Sequence, residues 1–135
     1  MRGIQQKSIR LTSCQNSIER VGSFVETLAE QYQLSPDRYG DILVSVTEAV
    51  NNAIIHGNCE DTSKTIELSL KKQRHTIAIS VSDQGTGFDY QSVPDPTRPE
   101  NICNCGGRGV FLMRQLSDDV TFRNNGSTVE MKFKI

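Results

Sequence analysis

The chain has 135 residues, of which 36% are hydrophobic and 23% charged, and its formal net charge is −1. These values are typical of a globular domain, and no apolar run approaches the roughly 20 residues that span a bilayer. The near-neutral charge, without a long basic run, argues against direct nucleic-acid binding. The basic N-terminus lacks the apolar segment of a secretory signal, so we expect one cytoplasmic domain over residues 1–135, without a membrane partner.

Four irregularly spaced cysteines are present: Cys14, Cys59, Cys103 and Cys105. A disulfide framework would suit a shorter secreted chain, so reduced thiols are the better interpretation. Zinc would need about four ligands, and His56 with Cys59 could supply two of them beside the Cys103–Cys105 pair. Nothing in the sequence brings the two pairs together, so ordinary surface and loop thiols are favoured over a metal site.

The first part of the chain has the pattern of a strand followed by two helices. The alternation in "KSIRL" predicts a short strand. Residues 13–33 carry apolar side chains at steps of three and four, which predicts an amphipathic helix capped by Ser13 or Asn16. Ser35 before Pro36 is typical of the N-cap and first residue of a second helix.

Two hairpins follow. Apolar residues alternate through residues 66–81 on both sides of a polar turn, "KKQR". A second hairpin, over residues 120–135, surrounds "NNGS", in which Asn-Gly supplies the positive φ angles of a tight turn. Between them, "QGTGFDYQSVPDPTRPENICNCGGRG" has the composition of a long loop, functional or disordered. Together these elements predict an α+β fold, a two-layer sandwich with helices on one face of a mostly antiparallel sheet.

The stretch "VTEAVNNAIIHGN", residues 46–58, places polar residues in a helix that otherwise has the pattern of a buried one. At 100° per residue its apolar side chains form one stripe, which we expect on the sheet. Asn52 lies about 40° and Ser45 about 60° from Glu48, opposite the stripe, and Asn51 flanks the same surface. A polar helix face is usually solvated. Tandem asparagines are poor helix formers, however, and Glu48 has no basic partner one turn away, which favours a covered cleft.

Glycine-rich segments occur at three places. Gly57 suits the position after the C-cap of the second helix. "SDQGTGFD" follows a predicted strand directly, so Asp83 lies at the strand end beside Gly85 and Gly87. Its carboxylate can accept a hydrogen bond from an exocyclic amine, and the glycines allow a flat ligand or a phosphate to approach the backbone. Taken alone, an ordinary turn explains these residues better.

The third segment, "CGGRGVFLMRQLSD", leads from glycines into a helix with apolar periodicity. Free amides at such an N-terminus attract anions, and Arg108 would add positive charge against a phosphate. A flexible linker into a core helix explains the segment equally well. It has neither the Gly-Lys-Ser/Thr of a Walker loop nor the βαβ context of a Rossmann fingerprint.

Taken in order, "EAVNNAIIHG", "DQGTG", "GGRGVFLM" and "GSTVEMKF" resemble the asparagine box, the two glycine boxes and the C-terminal box of the GHKL ATPases. Within that superfamily the chain is most similar to the anti-sigma factor serine/threonine kinases, over nearly its whole length. The resemblance implies a Bergerat fold, ATP and Mg²⁺ as ligands, and a homodimer. It also implies phosphorylation of an anti-anti-sigma partner with a STAS domain, which reverses that partner's release of a sigma factor.

The same resemblance implies residue roles. Glu48 would be the general base that activates the attacking hydroxyl, and Asn52 would ligate Mg²⁺. Asp83 would hold the adenine amine, and residues 91–105 would form the lid. The remaining nucleotide-binding residues would be Gly85, Gly87, Gly107, Arg108, Gly109 and Thr128. Two alternatives share the fold: a catalytically weak ATP-binding module that sequesters a sigma factor or another regulator, and an ATP domain that serves another signalling protein.

Overall fold

The computed structural model of the chain describes residues 5–86 and 107–135. These ranges contain three helices and five strands, together with short turns of other helical types. In chain order they are β1 (Gln5–Thr12), a 3₁₀ turn (Gln15–Ser17), α1 (Ile18–Gln31), α2 (Pro36–Asn52), a π-turn (Ala53–Gly57), β2 (Thr65–Gln73), β3 (Thr76–Ser82), α3 (Gly107–Leu116), β4 (Asp119–Arg123), a second 3₁₀ turn (Asn124–Gly126) and β5 (Thr128–Lys134).

The strands form one sheet in the order β1-β2-β3-β5-β4, and every neighbouring pair is antiparallel. The register aligns apolar side chains across the sheet in a continuous row: Ile9, Leu68, Val81, Val129 and Phe122. Side chains alternate between the two faces of a strand, so this register directs one apolar face toward the helices. The predicted α+β sandwich is confirmed.

The apolar stripes of α1 and α2 close the other side of the core. Val21 and Val25 from α1 and Val46 and Val50 from α2 have no exposed surface. Burying one such side chain contributes about 1.5–3 kcal/mol relative to leaving it in water. The stripe predicted from helical periodicity is therefore the face on the sheet. Among residues 5–86 and 107–135, no helix combines the length and apolar content needed to cross a membrane.

The two helix starts differ from each other. Ser35 caps α2 as predicted, since its Oγ accepts a hydrogen bond from the Arg38 amide at 3.2 Å, and Pro36 is the first helical residue. The predicted caps of α1 are wrong. That helix begins at Ile18 after a 3₁₀ turn, and Ser17 at its N-cap makes no side-chain capping bond. Ser13 is buried and forms tertiary hydrogen bonds instead.

The hairpin turns also refine the prediction. The proposed "KKQR" turn is wrong, because β2 continues to Gln73, which pairs with Thr76, and leaves only Arg74 and His75 between the strands. Arg74 takes the left-handed conformation, with φ of 49°, that such a short connection requires. Around "NNGS" the predicted positive φ angles are confirmed, at 53° for Asn124, 60° for Asn125 and 94° for Gly126.

Helix α3 runs antiparallel along α2 and covers part of its polar face. Gly109, near the start of α3, contacts the side chain of Asn52 at the end of α2. Asp118, just past α3, forms an ion pair with Arg38 in the first turn of α2, with 3.4 Å between Nη2 and Oδ2. Ser45 lies midway between these points and is fully buried. Ser45 therefore does not belong to an open polar surface of α2, although it lies on the Glu48 side of the helical wheel.

We expect Met113→Ala to destabilise the fold by about 2–5 kcal/mol, because Met113 is only 1% exposed and the substitution leaves a cavity under α3. The measurement is urea unfolding followed by circular dichroism. Gln115→Ala, at an exposed position of the same helix, is the matched control and should change the free energy of unfolding by less than about 0.5 kcal/mol. Equal effects of the two substitutions would contradict the packing described for α3.

Candidate functional site

Helix α2 ends in a π-turn. Beyond Asn52 the helical turn is wider, over Ala53–Gly57. The Asn58 amide donates to the carbonyl oxygen of Ala53, five residues back, at 2.8 Å. Such turns occur frequently at functional sites. The left-handed residues of this segment are Cys59 and Glu60, with φ of 53° and 59°. The expectation that Gly57 provides a left-handed helix end is thus wrong. Position 57 requires glycine for another reason.

That reason is a close approach by the turn after β3. A Cβ atom at Gly57 would collide with the carboxylate of Asp83, and a Cβ atom at Gly85 would collide with the carbonyl oxygen of Gly57. The turn formed by residues 83–85 therefore lies directly on the backbone of the π-turn. This contact brings together two of the sequence motifs, "EAVNNAIIHG" and "DQGTG", that are separated by a hairpin along the chain.

Asp83 follows the last residue of β3, as predicted. Its amide donates to the carbonyl oxygen of Ser127 at 2.9 Å, and its Oδ1 accepts from the Gly85 amide at 2.8 Å. Partial burial raises the pKa of the Asp83 carboxyl above its ordinary value, while the Gly85 hydrogen bond and the nearby Lys64 act in the opposite direction. The site thus holds a partly desolvated carboxylate whose Oδ1 position is fixed by a backbone donor.

Thr128 lies beside Asp83 on the neighbouring strand. It is 9% exposed and pairs with Ser82 in the ladder between β3 and β5. Its Oγ1 is 3.0 Å from Ser82 Oγ and accepts from Asn124 Nδ2 at 3.2 Å. The C-terminal motif therefore reaches the same end of the sheet as Asp83, as the resemblance implied.

At the other end of the site, α3 begins next to Asn52. A Cβ atom built on Gly109 would lie 2.8 Å from Asn52 Nδ2 and 3.2 Å from Oδ1, so only glycine permits this approach without displacing the carboxamide. Gly107 is the first residue of α3, and the Arg108 side chain is exposed. The amides of this first turn and the positive end of the helix dipole therefore lie beside Asn52, which suits an anion.

Glu48 lies one turn before Asn52 on α2 and is partly buried. None of the ion pairs formed within the described part of the chain includes Glu48. From Glu48 to Gly57 the helix rises by roughly 13 Å, a span that an extended nucleoside triphosphate can bridge. Glu48 is thus at one end of this span, Asn52 lies near its middle, and Asp83 packs at the other end.

Gly87, the lid over residues 91–105, and the cysteines Cys103 and Cys105 of the zinc alternative lie outside the described residues. Within residues 5–86 and 107–135, no group of three or more histidine, cysteine or acidic side chains could hold a metal ion. A metal bound by the described residues would therefore need ligands from elsewhere, such as phosphate oxygens and water.

Asn58 is a residue of the site that sequence reasoning missed. Asparagine is ordinary at a helix end, so no sequence signal distinguishes Asn58. In the structure its side chain is fully buried. It donates to Ser13 and Thr65 and accepts from the amide of Gln84, inside the turn that carries Asp83.

Comparison with known proteins agrees with this arrangement. The family described as "Histidine kinase-like ATPase domain" matches residues 11–133. An anti-sigma F factor from Anoxybacillus flavithermus is 34% identical, with 73% of each chain covered. A serine-protein kinase RsbW from Staphylococcus aureus is 32% identical, with 85% of this chain and 79% of that protein covered.

A solved structure has the same fold. The RsbU and RsbW domains of Rv1364c from Mycobacterium tuberculosis align with a TM-score of 0.63 at 14% identity. The alignment covers 96% of this chain and 32% of that longer one, so the present chain corresponds to about a third of it. The family match spans nearly all of the elements that build the site, from the end of β1 into β5. The chain belongs to the histidine kinase-like ATPase domain family.

Proposed function

We propose that this protein is an ATP-dependent serine/threonine protein kinase and anti-sigma regulatory factor that phosphorylates an anti-anti-sigma partner with a STAS domain. One observation carries the proposal: α2 presents Glu48 and Asn52 one turn apart, and the turn with Asp83 packs against the end of the same helix. A base-recognising carboxylate would thus be held against the end of the helix that carries the phosphate-side carboxamide.

The base end of the proposed site is built around Asp83. Its Oδ1 is occupied by the Gly85 amide, and its other oxygen, toward Gly57, is the acceptor for the exocyclic amine of adenine. Gly85 and Gly87 would line the base, and Thr128 would contact it from the neighbouring strand. A carboxylate selects a base with an amine over one with a carbonyl at this position, because two acceptors repel.

The phosphate end is built around Asn52 and the first turn of α3. Gly107, Arg108 and Gly109 would receive the phosphates through amides and a guanidinium. The Asn52 carboxamide oxygen suits Mg²⁺, a hard cation that is commonly held by one or two protein oxygens together with phosphate and water. When bound, Mg²⁺ supplies charge neutralisation on the triphosphate.

Glu48 would accept the proton of the attacking serine or threonine hydroxyl. Phosphoryl transfer depends mainly on positioning and electrostatics, so the protein needs to supply little beyond an oriented base. The carboxylate is partly buried and lies one turn before Asn52, which supports a role at the triphosphate end rather than the adenine end. The presence of this base favours a kinase over a module that only binds nucleotide.

The regulatory part of the proposal is supported by the names of the similar proteins, an anti-sigma F factor and a serine-protein kinase RsbW. On this basis the unphosphorylated STAS partner captures the kinase and frees a sigma factor, and phosphorylation reverses the exchange. We place this exchange in the cytoplasm and expect the kinase to act as a homodimer. Incubation with Mg-ATP and the cognate STAS protein, followed by phosphosite mapping, tests the proposal directly.

Glu48→Gln should leave ATP affinity within about threefold of the wild type and lower phosphorylation of the STAS partner by about 10²-fold or more, because only the transition state needs the base. Calorimetry and phosphoserine detection measure the two quantities. An unchanged phosphorylation rate would remove Glu48 from the reaction. A wild-type protein that binds ATP and a sigma factor but phosphorylates no STAS protein would favour the binding module.

Asp83→Asn should weaken ATP binding by about tenfold or more, since Oδ1 must still accept from Gly85 and the new amine then faces the adenine amine. Burial raises the pKa of the Asp83 carboxyl in the folded protein, so its ionisation lowers the free energy of unfolding as the pH rises through and above the ordinary carboxyl range. At pH 7 the melting temperature of Asp83→Asn should therefore equal that of the wild type or exceed it. Asp61→Asn, at an exposed loop carboxylate, is the control and should bind ATP as the wild type does. Calorimetry measures both affinities, and a wild-type ATP affinity in Asp83→Asn would contradict the proposed base pocket.

Gly109→Ala should lower affinity for Mg-ATP because the new Cβ displaces the Asn52 carboxamide, while the alanine raises helix stability by up to about 1 kcal/mol. Gly40→Ala is a matched control, since a Cβ there meets no atom within 4 Å. It should stabilise the fold equally and leave nucleotide binding unchanged. Titration of both variants with ATP, with and without Mg²⁺, measures the difference, and identical affinities would sink the assignment of Asn52.

A further inference from the structure

The Asn58 carboxamide connects three segments that meet at the end of α2. Its Nδ2 donates to Ser13 Oγ at 2.6 Å, just after β1, and to the carbonyl oxygen of Thr65 at 3.0 Å, where β2 begins. Its Oδ1 accepts from the Gln84 amide at 2.7 Å, just after β3. The side chain is fully buried, so each of these hydrogen bonds replaces one that water would otherwise supply.

The partners of Asn58 determine its chemistry. The Gln84 amide can only donate, so the atom facing it must be an oxygen, and the Thr65 carbonyl can only accept, so the atom facing it must carry a hydrogen. Ser13 Oγ accepts from Asn58 and in turn donates to the carbonyl oxygen of Lys64 at 3.1 Å. An aspartate at position 58 would keep the shape and lose the donor, leaving a charge against a carbonyl.

This network ends at the residues proposed to read the base. Gln84 lies between Asp83 and Gly85, so the hydrogen bond to Asn58 holds the middle of the turn whose ends pack on Gly57. A second contact braces the same turn, because Gln84 Oε1 accepts from the Thr65 amide at 2.8 Å. The position of the Asp83 carboxylate relative to α2 therefore depends on Asn58.

We propose that Asn58 is a positioning residue for base recognition: it fixes the turn of residues 83–85 so that Asp83 meets the exocyclic amine of a bound purine. The proposal rests on the proposed ATP site. Asn58 itself touches neither the reacting atoms nor the phosphate end, which is built from Asn52 and the start of α3. Its loss should therefore reduce discrimination between bases more than it reduces triphosphate binding.

The test compares ATP with inosine triphosphate, which carries a carbonyl in place of the amine, by calorimetry on the full chain. Wild type should prefer ATP. Asn58→Asp should reduce that preference by about tenfold, while its affinity for inosine triphosphate changes by less than about threefold. A residue important only for stability would lower both affinities together or lower only the melting temperature.

Two further variants serve as control and safeguard. Ile77→Val removes a buried methyl group at the far end of β3 and should retain the full preference for ATP despite its lower stability. Ser13→Ala removes one partner of Asn58 and should reduce the preference by a smaller factor than Asn58→Asp. It replaces that variant as the deciding test if Asn58→Asp does not fold.

The outcomes separate this proposal from the one on which it rests. A wild type without affinity for ATP, or without preference for it, overturns the ATP site and this inference together. A wild type that prefers ATP, with the same preference in Asn58→Asp, overturns only the role of Asn58. If Asn58→Asp does not fold, an unchanged preference in Ser13→Ala has the same consequence.

Discussion

The site depends on one close backbone contact, in which the turn after β3 rests on the π-turn that ends α2. Gly57 and Gly85 lack the Cβ atoms that would separate the two segments. Through this contact the carboxylate of Asp83 is held against the same helix that carries Glu48 and Asn52. Since α2 is itself fixed by its apolar stripe on the sheet, the core sets the position of Glu48 and Asn52, and the contact with α2 sets the position of the turn that carries Asp83.

A second contact divides the polar face of α2. Helix α3 reaches Asn52 through Gly109, while Ser45 is fully buried and Glu48 is only partly buried. The N-terminal turn of α3 is thereby brought to the phosphate end of the proposed site. The packing of α3 thus contributes to the hydrophobic core through Met113 and places the amides of its first turn where the proposed phosphates would lie.

The charge of Asp83 is a local cost to stability that the proposed role in base recognition would explain. Partial burial disfavours its ionised form in the folded protein, and the Gly85 amide offsets part of this effect. Asn58 shows the complementary case of a buried polar group whose donors and acceptor are all engaged, so that its burial brings specificity without an unpaired atom. The two residues are joined through Gln84, so the hydrogen bonds of Asn58 support the turn that carries the partly buried Asp83 carboxylate.

The sequence by itself determined the elements that depend on local patterns: the apolar stripe of α2, its Ser35–Pro36 start, the alternating strands and the four motifs in order. These follow from helical and strand periodicity and from local capping, which act over a few residues. Only the tertiary structure decided four other features: the tertiary hydrogen bonds of Ser13, the burial of Ser45, the close approach that requires Gly57 and the contacts of Asn58. Each depends on a neighbour brought from a distant part of the chain, and such close approaches leave no periodic signal in the sequence.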